Sequence, residues 1–148
     1  MSVKINIKKL RPDAIVPSYG TQFSAGADIY ALPETESVTV MPGQTVFFPT
    51  GLSVEIPEGY AGLVYARSGL ACKKGLAPAN KVGVIDSDYR GEVMVALHNH
   101  SSEAVTVCKG ERIAQLVITP CLHADFCVCS DLSETRRGEG GFGSTGEK

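Results

Sequence analysis

Long apolar runs are missing from this chain. Its longest are as short as Val93-Met94-Val95-Ala96-Leu97, far below the roughly 18 residues of a membrane-spanning helix. A surplus of either charge is missing too, with 14 Lys and Arg against 16 Asp and Glu. That balance argues against a nucleic-acid coat protein or a polybasic membrane binder, but leaves room for a local phosphate pocket. The N-terminus alternates apolar and polar residues from Val3 to Ile7 and lacks the apolar block of a signal peptide. No two cysteines have C-x-x-C spacing, and the five (Cys72, Cys108, Cys121, Cys127 and Cys129) make an odd number. These features read as reduced thiols in the cytoplasm, or in the nucleus if the source is eukaryotic. Cys127 and Cys129 are expected to share one strand face and point into the core.

Room for a long helix is also lacking. Pro12, Pro17, Pro33, Pro42-Gly43, Pro49, Gly51, Pro57, Gly59, Gly75, Pro78, Gly91, Gly110 and Pro120 break the chain throughout. Between them the apolar period is two: Val3/Ile5/Ile7, Val38/Val40, Leu52/Val54/Ile56, Val93/Val95/Leu97, Val105/Val107 and Leu122/Ala124/Phe126/Val128. Many short strands with regular turns indicate an all-β sandwich or barrel. Only Ser68 to Lys74 suits a short helical turn, before Gly75. With 148 residues and 43% hydrophobic composition, the chain is one domain that can bury a core without disulfide or metal staples.

The chain end differs in composition. From Ser133 to Lys148 the one bulky apolar residue is Phe142, and glycines stand at 138, 140, 141, 143 and 146. Such a segment cannot bury enough surface to order itself. It reads either as a loose tail or as an arm that orders on a ligand. Arg137, a single aromatic ring and Gly-Ser-Thr-Gly suit a nucleotide: a guanidinium for phosphate, a ring for the base, and amides and hydroxyls for oxygens.

Four further segments carry chemistry in short loops. Ser24-Ala25-Gly26-Ala27-Asp28 sets a carboxylate among small residues. Arg67-Ser68-Gly69 joins a forked donor, a hydroxyl and a glycine that lets backbone approach an anion. Gly83-Val84-Ile85-Asp86-Ser87-Asp88-Tyr89-Arg90-Gly91 packs two acids, an aromatic and an arginine between glycines. Gly110-Glu111-Arg112-Ile113-Ala114-Gln115 carries a glutamine into an apolar strand. His98-Asn99-His100 would put two imidazoles on one strand face, but reads as a strand end entering a turn rather than a metal pair. Asp88 reads as a brace or cap of its hairpin.

Taken in order, with the glycine-rich end as the fifth, these segments resemble the five motifs of the trimeric deoxyuridine triphosphatases (dUTPases). The resemblance spans nearly the whole chain. Two departures are Ala66, where a proline often precedes Arg-Ser-Gly, and Arg136, a second arginine beside Arg137. The family implies a jelly-roll subunit of the β-clip type with one very short helix, over residues 1–132. It also implies a flexible C-terminal arm, residues 133–148, that closes over the nucleotide. It further implies a homotrimer with three shared sites, and hydrolysis of dUTP to dUMP and pyrophosphate by water attack on the α-phosphorus, with Mg²⁺ on the triphosphate. The product would supply thymidylate synthesis.

By this resemblance Asp86 is the general base, and Asp28 holds waters of the Mg²⁺. Arg67, Ser68, Gly69 and Gln115 take phosphate oxygens. Arg137 reaches the γ-phosphate, with Phe142 on the uracil and Gly143, Ser144 and Thr145 closing behind it. The segment from Asn80 to Tyr89, including Gly83, Val84 and Ile85, reads the uracil edge through its main chain. Tyr89 packs under the deoxyribose and excludes a 2′-hydroxyl. Met94 lines the sugar or is a buried strand residue. Two other readings stand beside this one: a dCTP deaminase relative, which would lack the arm, and a nucleotide-dependent regulatory module of the same fold. No nucleic-acid or membrane partner is expected.

Overall fold

The computed structural model describes residues 2–141. Eleven strands and one helix follow in order: β1 (Asn6–Lys9), β2 (Ser18–Tyr19), β3 (Ala27–Tyr30), β4 (Ser37–Val40), β5 (Thr45–Glu55), β6 (Tyr60–Ala66), α1 (Ser68–Lys74), β7 (Leu76–Pro78), β8 (Gly83–Ile85), β9 (Glu92–Asn99), β10 (Val105–Cys108) and β11 (Arg112–Pro120). They form a four-stranded sheet β1-β5-β9-β7, a five-stranded sheet β2-β3-β11-β6-β8 and a two-stranded ribbon β10-β4. All pairings are antiparallel. The architecture is all-β and jelly-roll-like.

The period-two pattern accounts for the core. Val54 of β5 and Ile56 just past it, Val93, Val95 and Leu97 of β9, and Val105 and Val107 of β10 are buried together with Phe48, Leu76, Ile113 and Leu116. Burial of each such side chain contributes about 1.5–3 kcal/mol. Helix α1 covers the expected span and stops where Gly75 takes a left-handed conformation, φ +65°. Pro49 and Gly51, expected as breaks, lie inside β5. The strand passes through them by a register shift between Pro49 and Ser53. There Gly51 has φ +69°, and a Cβ would lie 2.6 Å from a methyl of Leu32 and 2.9 Å from the Cβ of Ala14.

One expected strand does not form. Leu122, Phe126 and Val128 are 96%, 90% and 103% exposed, and residues 121–129 carry no strand. Cys127 and Cys129 are therefore exposed as well, contrary to the expectation of a core-facing pair. The alternation is present, but within one chain this row finds no sheet to cover.

Candidate active site

The structure gathers most of the expected site residues into two groups. The first lies where β3, β6 and β11 meet. Asp28, on β3, is opposite Gln115 of β11. Its carboxylate is mostly enclosed and accepts a hydrogen bond on each oxygen. Arg67 donates through Nε to Oδ1 at 2.8 Å, and Arg112 donates through Nη1 to Oδ2 at 3.1 Å. A second Arg67 nitrogen, Nη1, points at the Arg112 carbonyl, 3.4 Å away. Gln115 donates from Nε2 to the Ala66 carbonyl at 3.3 Å. Gly26 leaves space for this amide, since a Cβ there would stand 2.8 Å from Gln115 Oε1. Ser68 and Gly69 open α1 and are exposed beside Arg67. The cluster presents free guanidinium, hydroxyl and amide donors to solvent, as an anion site requires. Arg112 was missed as a site residue because its motif is an ordinary turn and strand start until the ion pair with Asp28 is seen.

The second group surrounds a cavity of about 240 Å³ between β8 and β9, and its lining brings together Asn80, Gly83, Val84, Ile85, Asp86, Tyr89 and Met94. Phe47, Val64 and Pro78 complete the apolar wall. Met94 is 42% exposed, so it lines the cavity rather than filling the core. Strand β8 is the sheet edge, paired on one side to β6. Its outward main-chain groups therefore have no strand partner within the chain. Asn80 packs against Gly83, where a Cβ would meet its Nδ2 at 3.0 Å. Lys81, with φ +63°, turns the chain tightly at this point.

The loop after β8 is held by its own residues. The Tyr89 N–H donates to the Asp86 carbonyl at 3.2 Å, and the Tyr89 hydroxyl donates to the Glu92 carbonyl at 2.9 Å. The ring lies over Gly91, where any Cβ would collide with it. Arg90 Nη1 donates to the carbonyls of Ser87 and Tyr89 at 2.6 and 2.9 Å. Arg90 is thus the brace. Asp88, expected in that role, is exposed, and its carboxylate takes part in none of the hydrogen bonds among the described residues.

These two groups stand apart in one chain. Gly83 is opposite Val64 and Ile85 opposite Gly62, so Asp86 leaves the ladder toward Ala61, at the start of β6. Arg67 follows the other end of β6. Six residues of strand separate those levels, about 20 Å. A larger depression of about 1010 Å³ also reaches Asp86, between Lys4, Asn6, residues 55–61 and Cys121–His123, and none of Asp28, Arg67, Ser68, Gly69 or Gln115 lines it.

Arg137 lies in the C-terminal segment, where its Nε donates to the Gly140 carbonyl at 2.8 Å. Phe142, Gly143, Ser144 and Thr145 lie outside the described residues. His98 and His100 do mark the strand end. Their ring centroids are 4.4 Å apart, and Asn99 between them is buried, its Nδ2 donating to the Val40 and Glu103 carbonyls at 2.9 and 2.7 Å.

The five-stranded sheet of this all-β, jelly-roll-like domain thus carries both a cluster of donors suited to an anion, around Arg67, and a small cavity beside its edge strand β8. The chain belongs to the dUTPase family, whose model matches residues 12–146. It is 51% identical over 148 residues to the deoxyuridine 5′-triphosphate nucleotidohydrolase of Desulfitobacterium hafniense, covering 98% of this chain and 97% of that protein. It is 48% identical to the enzyme of the same name from Nautilia profundicola, covering 98% and 100%. Among solved structures, a dUTPase of Staphylococcus bacteriophage 80alpha with dUpNHpp superposes with a TM-score of 0.86 at 29% identity, covering 98% of this chain and 99% of that one.

Proposed function

We propose that the chain hydrolyses dUTP to dUMP and pyrophosphate, in a homotrimer whose sites are shared between chains. The observation that carries this reading is the division of the site. The cavity with Asp86 and the cluster with Arg67 are both built, yet lie about 20 Å of strand apart. A second copy that sets its cavity against the first copy's cluster completes a site. The uncovered row from Leu122 to Leu132, including Phe126 at 90% exposure, supplies apolar surface for such contacts.

In this reading the outward main-chain groups of β8 and the Asn80 amide pair with the uracil edge. Cytosine is refused because it presents a donor where uracil offers an acceptor. Tyr89, held over Gly91, fills the space a 2′-hydroxyl would need. Asp86 takes the proton from a water whose oxygen attacks the α-phosphorus. The bond from that phosphorus to its bridging oxygen breaks, and pyrophosphate leaves. Arg67, Ser68, Gly69 and Gln115 stabilise charge as it builds on the phosphate oxygens. Arg137 and residues 142–145 close over the γ-phosphate.

Asp28 is the one carboxylate buried among the described residues, and no cluster of three or more His, Cys, Asp or Glu there could hold an ion alone. That donor set fits a Mg²⁺ that would be bound chiefly by the triphosphate, with Asp28 holding it through a water. Bound there, the ion would neutralise phosphate charge. The test is pyrophosphate release from dUTP, dCTP, dTTP and UTP with Mg²⁺. Release from dUTP alone is expected, and equal release from UTP or dCTP would overturn the reading.

A further inference from the structure

We infer that Arg112 is a positioning residue that keeps Arg67 available to the substrate by occupying the far oxygen of Asp28. The inference rests on the reading of Arg67 as a phosphate ligand. A carboxylate beside a guanidinium ordinarily draws two parallel N–H bonds from it. Here Arg67 gives Asp28 a single donor, Nε at 2.8 Å, because Arg112 Nη1 holds the other oxygen at 3.1 Å. The Arg112 carbonyl faces Arg67 Nη1 as well, 3.4 Å away. Arg67 is thus fixed in direction from two sides, while its Nη2 takes part in none of these contacts.

The backbone is shaped for this arrangement. Arg112 and Gln115 are three residues apart, and in a regular strand they would point to opposite faces. Strand β11 shifts register between Arg112 and Ala114, so Arg112 is opposite Tyr30 and Gln115 opposite Asp28. Tyr30 and Asp28 share one face of β3, and the irregularity brings Arg112 and Gln115 onto that face. Ile113 and Ala114, inside it, are both fully buried, which anchors the shift in the core.

Without Arg112, Arg67 can grip Asp28 with two donors and turn away from the phosphates. The test uses Arg112→Ala, Arg112→Lys, Arg67→Ala and the double alanine variant in the full chain, with dUTP and Mg²⁺. Arg112→Ala is expected to lower kcat by up to about a hundredfold, the scale of a misplaced catalytic group, with a smaller change in KM. Arg112→Lys should recover most of that loss, since an ammonium still covers the Asp28 oxygen. In the Arg67→Ala background, Arg112→Ala should add little, because the group it positions is already gone. Wild-type kcat in Arg112→Ala, losses that multiply in the double variant, or an Arg112→Lys protein as impaired as the alanine one would each overturn the inference. If Arg112→Ala fails to fold, the lysine variant still decides. An Arg67→Ala enzyme of full activity would instead remove the phosphate role of Arg67, and the inference with it.

Discussion

Asp86 closes β8 at the mouth of the cavity, exposed and free to meet a water. Asp86→Asn keeps its size and hydrogen bonding but cannot accept a proton, so kcat for dUTP should fall by about 10²–10⁴-fold with nucleotide binding retained. Equal kcat in single-turnover measurements would remove Asp86 from that role. His100 offers a second test at this scale. Lost hydration first, then the charges of Lys81 and His98, hold its pKa below the ordinary 6.5. The unfolded chain therefore binds the proton more readily, and stability declines as pH falls below 6.5 toward the folded value. His100→Gln should flatten that decline in melting temperature between about pH 7 and about pH 5. An unchanged slope would show that neither lost hydration nor the neighbouring charges lower the His100 pKa. Residue chemistry was the most legible part of the sequence: the acids, arginines and glycines of each motif can be read from type and spacing. The ion pairs of Asp28 were not, because Arg67, just after β6, and Arg112, on β11, reach it from far along the chain.

Elements were legible where period and punctuation agree. Helix α1 and its glycine stop can be read directly, as can β4, β9 and β10. The strand expected at Leu122–Val128 fails for a physical reason, since alternation specifies a face to bury but not the chain that buries it. The irregularities in β5 and β11 leave no local signal, because Pro49, Gly51 and Ile113 are read singly as breaks or core. The loop from Asp86 to Gly91 is a unit in which one ring, one glycine and one arginine fix one another. Tyr89→Ala should therefore raise the UTP-to-dUTP ratio of kcat/KM even if both values drop. A ratio that does not move would place sugar discrimination elsewhere, with Met94 the next lining residue to test.

At the scale of the molecule, Asp86 and Arg67 stand at the levels of different ends of β6, so the proposed site is completed between chains. Two crippled chains should repair each other. Mixing Asp86→Asn chains with chains cut after Leu132 should restore dUTP hydrolysis that neither shows alone, because a mixed trimer holds sites that draw Asp86 and the arm from different intact sources. Sedimentation should give three times the mass of one chain, and a fully active monomer would contradict the shared site. The separation of Asp86 from Arg67 also has a meaning for inheritance. In the proposed trimer each site takes its Asp86 from one subunit, so a defective copy would silence a single site and leave the other two in its ring at work. In a cell that makes intact and Asp86-altered chains together, activity should follow the intact fraction itself rather than the cube of that fraction. Such an allele should therefore exert no dominant-negative effect, even where its product enters the proposed trimers.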